Sequence, residues 1–229
     1  MKLLLFDIDG TLLDSGGAGT KAMNLAFEEV FSIPDAFNGI DMAGKTDTQI
    51  MKEGMKRHNI SSDNGRLPSL CKSYISHLLH EIKNPAKHLK PGIVSTLDSL
   101  RAIKGLYLGL LTGNIETGAR IKLDAFGLNS YFSFGAFGND HEERNSLLPV
   151  AIKQFRSLYQ KDACYTDCIV IGDTPRDVEC AKVHGALSVA VATGPYSYKT
   201  LVKSDADMVL YNLLDYNLTE LMEGKKWLS

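Results

Sequence analysis

The chain contains six short runs rich in apolar residues, and a glycine or a polar residue follows each run. In most runs the apolar residues are continuous, which is typical of strands buried on both faces of a parallel sheet. Helical patterns lie between most of the runs, as at 93–100, at 115–126 and after Thr174-Pro175. The runs cover residues 2–8, 106–111, 132–137, 168–171, 187–192 and 207–211. This alternation predicts an α/β fold with a doubly wound, mostly parallel, Rossmann-like sheet.

The first interval between strands is much longer than the others. Nearly one hundred residues separate the first run from the second, whereas a crossover needs only about a dozen. Helical patterns occupy about 18–32, 46–58 and 66–83, and no convincing strand accompanies them. We therefore predict an inserted all-helical domain over 15–87 and an α/β core formed by 1–14 and 88–229.

Composition excludes several classes of protein. The chain has 229 residues, 25 Lys and Arg against 27 Asp and Glu, and a net charge of −2, so nothing indicates a nucleic-acid or membrane surface. Its four cysteines form no metal-binding or disulfide pattern and are expected to be free thiols. We expect a cytoplasmic protein, monomeric or weakly dimeric, with no membrane partner.

Acidic residues follow two of the predicted strands. Asp7 and Asp9 end the first strand and are followed by Gly10, which allows a sharp turn beside a ligand. Asp173 follows another strand, and Asp177 lies one helical turn further on. Ligands of open α/β sheets bind at the carboxyl ends of the strands. Asp7, Asp173 and Asp177 are therefore candidate ligands of a hard divalent cation such as Mg²⁺.

A third polar element follows the second strand. Thr112, Gly113 and Asn114 stand between that strand and a helix, where a hydroxyl and backbone N–H groups can bind an anion. Taken alone, these residues are more typical of an ordinary helix N-cap.

The three elements together resemble the haloacid dehalogenase superfamily, over essentially the whole chain. The matching residues are Asp7-Ile8-Asp9-Gly10-Thr11, then Thr112-Gly113-Asn114, then Gly172-Asp173 with Asp177. The stretch 187–196 is similar to the phosphoglycolate-phosphatase-like branch, as is 9–15. The resemblance implies that the insertion is a mobile helical cap of the C1 type.

The resemblance also implies an activity, the Mg²⁺-dependent hydrolysis of a small phosphorylated metabolite. Asp7 would attack phosphorus to form an aspartyl-phosphate, and Asp9 would act as acid and then base. The implied metal ligands are the Asp7 carboxylate, the Asp9 backbone carbonyl, Asp173 and Asp177. The phosphoryl group would be held by Thr112, Gly113, Asn114 and Arg144. A phosphomutase of the β-phosphoglucomutase type would use the same core residues and is the alternative.

The basic residue is where the chain departs from the family pattern. The family has a lysine, often followed by proline, at the start of a helix, whereas this chain has Glu142-Glu143-Arg144 there. Arg144 is our candidate for this role because a guanidinium can neutralise Asp7 and bind phosphate with two donors. Lys153 is the second candidate.

Residues 39–46 match the pattern of a phosphate-binding P-loop, with Lys45 as its lysine. A P-loop must follow a strand, however, and the preceding residues 31–38 contain Pro34 and are turn-like. P-loop nucleotide binding is therefore an unfavoured alternative. We expect Lys45 to lie in a cap turn aimed at the core, where it would contact an anionic part of the substrate and determine specificity.

Overall fold

The computed structural model describes residues 1–214 and Leu218. Residues 215–217 and 219–229, which are predicted to belong to the α/β core, lie outside this description. Its main sheet has six strands in the order β5-β4-β1-β6-β7-β8, and all neighbouring pairs are parallel. The strands are β1 Lys2–Phe6, β2 Leu13–Asp14, β3 His88–Leu89, β4 Leu106–Leu111, β5 Gly135–Ala136, β6 Cys168–Gly172, β7 Leu187–Val191 and β8 Met208–Leu210. The helices are α1 Ala18–Phe31, α2 Asp47–Arg57, α3 Arg66–Glu81, α4 Ile93–Arg101, α5 Glu116–Asp124, α6 Leu147–Tyr159, α7 Pro175–Lys182 and α8 Tyr198–Val202.

The central strand β1 shows why the sequence pattern is continuous. Successive side chains of a strand point to opposite faces of the sheet. Leu3 and Leu5 pack into the apolar cluster that includes α6, whereas Leu4 and Phe6 pack into the cluster that includes α4 and α5. Since helices cover both faces, the four apolar positions of the strand are all buried, and the expected doubly wound α/β fold is confirmed.

The strand predicted at 132–137 is much shorter than expected. Only Gly135 and Ala136 pair with β4, and a short 3-10 turn, Asn129–Tyr131, precedes them. Phe132 and Phe134 are buried, but their side chains fill the apolar clusters while their backbone lies outside the strand. The apolar run predicts a longer strand because burial gives Phe132 and Phe134 the same pattern that strand residues have.

The long insertion is helical, as its pattern predicts. Helices α1, α2 and α3 share an apolar cluster of their own, in which Phe27, Met51 and Tyr74 are fully buried. A two-stranded antiparallel sheet of β2 and β3 joins the two ends of the insertion at its connection to the main sheet. None of the described helices is long and apolar enough to cross a membrane.

Candidate active site

A cavity of about 540 Å³ lies at the carboxyl ends of the central strands, between the main sheet and the helical insertion. Asp7 follows β1, Thr112 follows β4 and Asp173 follows β6, so three neighbouring strands contribute polar residues to this edge. Residues 17–23 and 42–50 of the insertion line the cavity from the other side. The topology therefore brings the three sequence elements to one place.

Asp7, Asp173 and Asp177 form a compact acidic cluster. Each offers a carboxylate oxygen, and these oxygens lie within 4.8 Å of one another. All three residues are buried, and burial raises the pKa of Asp7 to about 6 and that of Asp173 well above its usual range. Such a cluster needs positive charge or protons to be stable.

The surroundings of this cluster fit a hard divalent cation. A Cβ atom on Gly194 would lie 1.7 Å from an Asp173 oxygen, and one on Gly10 would lie 2.3 Å away, so only glycine leaves Asp173 room at these positions. Oxygen donors in a buried pocket are the ligands that Mg²⁺ prefers. Asp177 is more occupied, because its Oδ2 accepts hydrogen bonds from the backbone N–H and hydroxyl of Thr174.

Arg144 supplies positive charge to the acidic cluster. It lies in a 3-10 turn, Arg144–Ser146, directly before α6, and its side chain is only 5% exposed. Its Nη2 lies 3.2 Å from the Asp7 Oδ1 and also forms an ion pair with Asp177. Lys153, the other candidate, is exposed on α6. Arg144 is thus the residue of the two that contacts the acids.

Asp9 also lines the cavity and has hydrogen-bond partners of its own. Its Oδ2 accepts a hydrogen bond of 2.9 Å from the Asn114 amide and one of 2.6 Å from the Lys122 ammonium. The Asn114 amide also donates to the Thr112 hydroxyl at 2.9 Å. These contacts fix the Asp9 carboxylate, although 40% of its side chain is exposed.

Gly113 lies where the insertion touches the core. A Cβ atom there would lie 2.2 Å from the Lys45 carbonyl oxygen, so any side chain would push the insertion away. The Gly113 carbonyl accepts a hydrogen bond of 2.7 Å from the backbone N–H of Asp47. The Thr46 and Thr48 hydroxyls donate to the core carbonyls of Glu142 and Gly138 at 2.7 and 2.8 Å.

Lys45 lines the cavity, but its charge is already paired. Its Nζ lies 2.5 Å from the Glu53 Oε2. The described residues 32–46 contain no strand, and Asp41 in this segment pairs with Arg176 at 3.3 Å. A P-loop needs a strand before it and backbone amides free for phosphate. The segment instead ends at Thr46, which caps helix α2 by accepting a hydrogen bond from Gln49.

Sequence reasoning missed three residues of the cavity, namely Asp47, Tyr74 and Lys122. All three are buried, and the Lys122 Nζ donates to the Asp9 Oδ2 and to the side-chain amide oxygen of Asn114, at 2.6 Å from each. Burial alone would lower the pKa of Lys122, but the carboxylates of Asp9 and Asp47 raise it, so the side chain carries a charge. Tyr74 and Asp47 reach the cavity from the insertion, and no motif marks them.

Comparison with known proteins agrees with this geometry. Residues 4–191 match the family model described as haloacid dehalogenase-like hydrolase, and the chain belongs to that family. It is similar to phosphoglycolate phosphatases from Caulobacter vibrioides, with 25% identity over 93% of this chain and 87% of the relative, and from Synechococcus elongatus, with 28% identity over 92% of both.

Solved structures share the fold. A hydrolase from Pseudomonas syringae superimposes with a TM-score of 0.71 at 22% identity, covering 99% of this chain and 100% of the other. A protein from Bacteroides vulgatus that is assigned as a β-phosphoglucomutase gives a TM-score of 0.70 at 18% identity, covering 97% of this chain and 89% of the other. At these identities the likeness establishes the fold alone.

Proposed function

We propose that the protein is a Mg²⁺-dependent phosphatase that hydrolyses small phosphomonoesters through an aspartyl-phosphate. The observation that carries this proposal is the buried ion pair of Arg144 with Asp7, beside Asp173, at the edge of the sheet. The similarity to phosphoglycolate phosphatases supports the same class of reaction.

In the proposed reaction Asp7 attacks phosphorus, and Asp9 first protonates the leaving oxygen and then activates water. Both carboxylates follow the end of β1 and line the cavity. Asn114 and Lys122 orient the Asp9 carboxylate toward the cavity. A halide would leave without a proton, so an acid at this position favours phosphoryl transfer over dehalogenation.

The proposed phosphate site consists of Thr112, Gly113, Asn114 and Arg144. Charge spreads over the phosphoryl oxygens in the transition state, and preorganised donors stabilise it there. Mg²⁺, when bound, would neutralise the acidic cluster and add positive charge at the phosphate. Asp7, the Asp9 backbone carbonyl and Asp173 would hold it, and Asp177, whose oxygens are engaged by Thr174 and Arg144, would hold the arginine in place.

We further propose that residues 15–87 form a cap on the core of 1–14 and 88–229. The hydrogen bonds from Thr46, Asp47 and Thr48 to core carbonyls fit a closed cap, which would exclude water and select the leaving group. Lys45 lies in the contacting segment and is the proposed specificity residue. We expect the enzyme to act in the cytoplasm, as a monomer or weak dimer.

The test of this proposal is phosphate release from a panel of phosphorylated metabolites, with Mg²⁺ and with a chelator. The wild-type protein should release phosphate only with the metal, and Asp7→Asn should abolish release while the protein still folds. Asp98 lies on α4 and accepts a hydrogen bond from Tyr131 in an exposed contact. Asp98→Asn is therefore the matched control and should be fully active. A folded Asp7→Asn protein with wild-type activity would refute the mechanism. Transfer of phosphate within a sugar phosphate, without release, would favour the mutase alternative.

A further inference from the structure

The part of the cavity beyond Asp9 is built from both the core and the insertion. We call it the leaving-group chamber and define it by Gly19, Asp47, Tyr74 and Lys122, all of which line the cavity. A Cβ atom on Gly19 would lie 3.3 Å from the Lys122 Nζ and 3.9 Å from the Tyr74 hydroxyl oxygen. A side chain at Gly19 would therefore crowd the Lys122 ammonium and lie against the Tyr74 hydroxyl.

Two hydrogen-bond donors line the leaving-group chamber. The Lys122 ammonium donates to Asp9 and to Asn114, and its third proton has no partner among the described residues. The Tyr74 hydroxyl is fully buried beside the Asp47 carboxylate and makes no hydrogen bond of ordinary length and angle within the described part of the chain. Burial and the nearby Asp47 carboxylate raise the pKa of Tyr74, so the hydroxyl keeps its proton. Buried donors normally have partners, and an unpaired one beside a cavity indicates a ligand atom.

The chamber also contains an acceptor. Asp47 uses its Oδ2 to accept a hydrogen bond of 2.9 Å from the backbone N–H of Ile115. The same carboxylate lies beside the Tyr74 hydroxyl, so an acceptor and a donor stand side by side here. An alcohol both donates and accepts, whereas a carboxylate only accepts. The chamber's donors and acceptor therefore match a hydroxyl group better than they match a carboxylate.

The charges that line the cavity also favour an alcohol over a carboxylate. Each lysine among the cavity-lining residues of the described chain is already paired with a carboxylate. Lys122 pairs with Asp9 at 2.6 Å, Lys90 with Asp14 at 3.2 Å and Lys45 with Glu53 at 2.5 Å. Asp47 adds a further carboxylate near Lys122. None of these lysines is left to compensate a second anionic group on the substrate. Burying an uncompensated charge is costly.

We propose that the leaving group of the substrate is uncharged and hydroxylated, as in a polyol or sugar phosphomonoester, and that Tyr74 and Lys122 donate hydrogen bonds to its hydroxyl oxygens. This inference rests on the proposed phosphatase function. It separates this chain from the phosphoglycolate phosphatases it resembles, because phosphoglycolate carries a carboxylate where the chamber favours an alcohol.

A matched pair of substrates tests the inference. 2-Hydroxyethyl phosphate and 2-phosphoglycolate differ only in an alcohol against a carboxylate, and methyl phosphate lacks both. We expect kcat/KM to be at least roughly tenfold higher for the hydroxyethyl ester than for phosphoglycolate, as expected when an unmatched polar group must be buried. An equal rate, or a preference for phosphoglycolate, would overturn the inference but leave the phosphatase proposal intact. No phosphate release from any ester would overturn both.

Variants locate the effect in the chamber. Tyr74→Phe removes only the hydroxyl, and we expect kcat/KM for 2-hydroxyethyl phosphate to fall by about tenfold, the effect of one hydrogen bond, with little change for methyl phosphate. Tyr131→Phe is the control, since its hydroxyl contacts the exposed Asp98 away from the cavity. Gly19→Ala should raise KM for the hydroxyethyl ester by crowding the Lys122 ammonium. Equal losses on both esters in Tyr74→Phe would mean that the tyrosine only supports the fold, and would refute its role in recognition.

Discussion

Asp47 joins the helical insertion to the core and is buried. It is the first residue of α2, its backbone N–H donates to the Gly113 carbonyl at 2.7 Å, and its Oδ2 accepts from the Ile115 N–H at 2.9 Å. Burial raises the pKa of Asp47 from 3.8 to about 6, although Lys122 opposes the shift. This residue therefore links the pH of the solution to the contact between the insertion and the core.

The sign of this linkage follows from the two pKa values. The Asp47 carboxyl has an ordinary pKa of 3.8 in the unfolded chain and a pKa of about 6 in the folded chain. The folded chain therefore binds a proton at Asp47 more tightly than the unfolded chain does. The stability that Asp47 contributes is therefore fully present below the unfolded pKa and is lost as the pH rises through the folded pKa. At 1.36 kcal/mol per pKa unit, the full loss in the free energy of unfolding is about 3 kcal/mol. About 1 kcal/mol of this loss falls between about pH 5 and about pH 7.

Asp47→Asn isolates this contribution, because the amide oxygen can still accept the Ile115 hydrogen bond but does not titrate. Urea unfolding of both proteins across this pH range, in metal-free buffer, gives the difference in the free energy of unfolding. We expect the wild type to lose stability relative to Asp47→Asn as the pH rises. Asp7 and Asp173 titrate in both proteins, so their effects cancel to first order. Two stability curves that run parallel across the range would refute the reasoning.

The other predictions concern the proposed chemistry. Arg144→Ala should lower kcat by roughly 10²–10³-fold, the usual effect of removing a donor that stabilises transition-state charge, whereas Lys153→Ala should change little; the reverse result would assign the role to Lys153. Asp9→Asn should lower turnover by roughly 10²–10⁴-fold in steady-state assays of phosphate release, and wild-type activity would exclude it as the acid and base. Asp173→Ala should weaken Mg²⁺ binding in calorimetric titrations; unchanged affinity would exclude Asp173 as a ligand. Lys45→Ala should impair substrates that reach the insertion more than methyl phosphate, and equal kcat/KM losses on both would end its specificity role.

The main sheet could be predicted because burial on both faces leaves a clear record in the sequence. β1 and β6 are continuous apolar runs, and the polar residues that follow them mark the edge of the sheet. The run at 132–137 misled the prediction because Phe132 and Phe134 are buried without forming strand backbone. Periodicity reports burial directly, but it reports backbone pairing only indirectly.

The acidic half of the candidate site was predictable for a similar reason. Asp7 and Asp173 follow parallel strands that are neighbours in the sheet, so topology alone brings them together. Tyr74 and Asp47 could not be placed in this way. They come from helices of the insertion, and their position in the cavity depends on how those helices pack on the core, which no short-range pattern specifies.

Lys122 is an intermediate case, because the sequence does contain a signal for it. The predicted helix over 115–126 presents Ala119 and Leu123 to the core, and Lys122 shares that buried face. A lysine on the buried face of a helix is stable only if a carboxylate compensates its charge. The helix begins just after Asn114 at the edge of the sheet, where Asp9 is available, so the sequence pattern is sufficient to pair the two residues. A charged residue on an apolar helical face is therefore as informative about the site as the acids that end the strands.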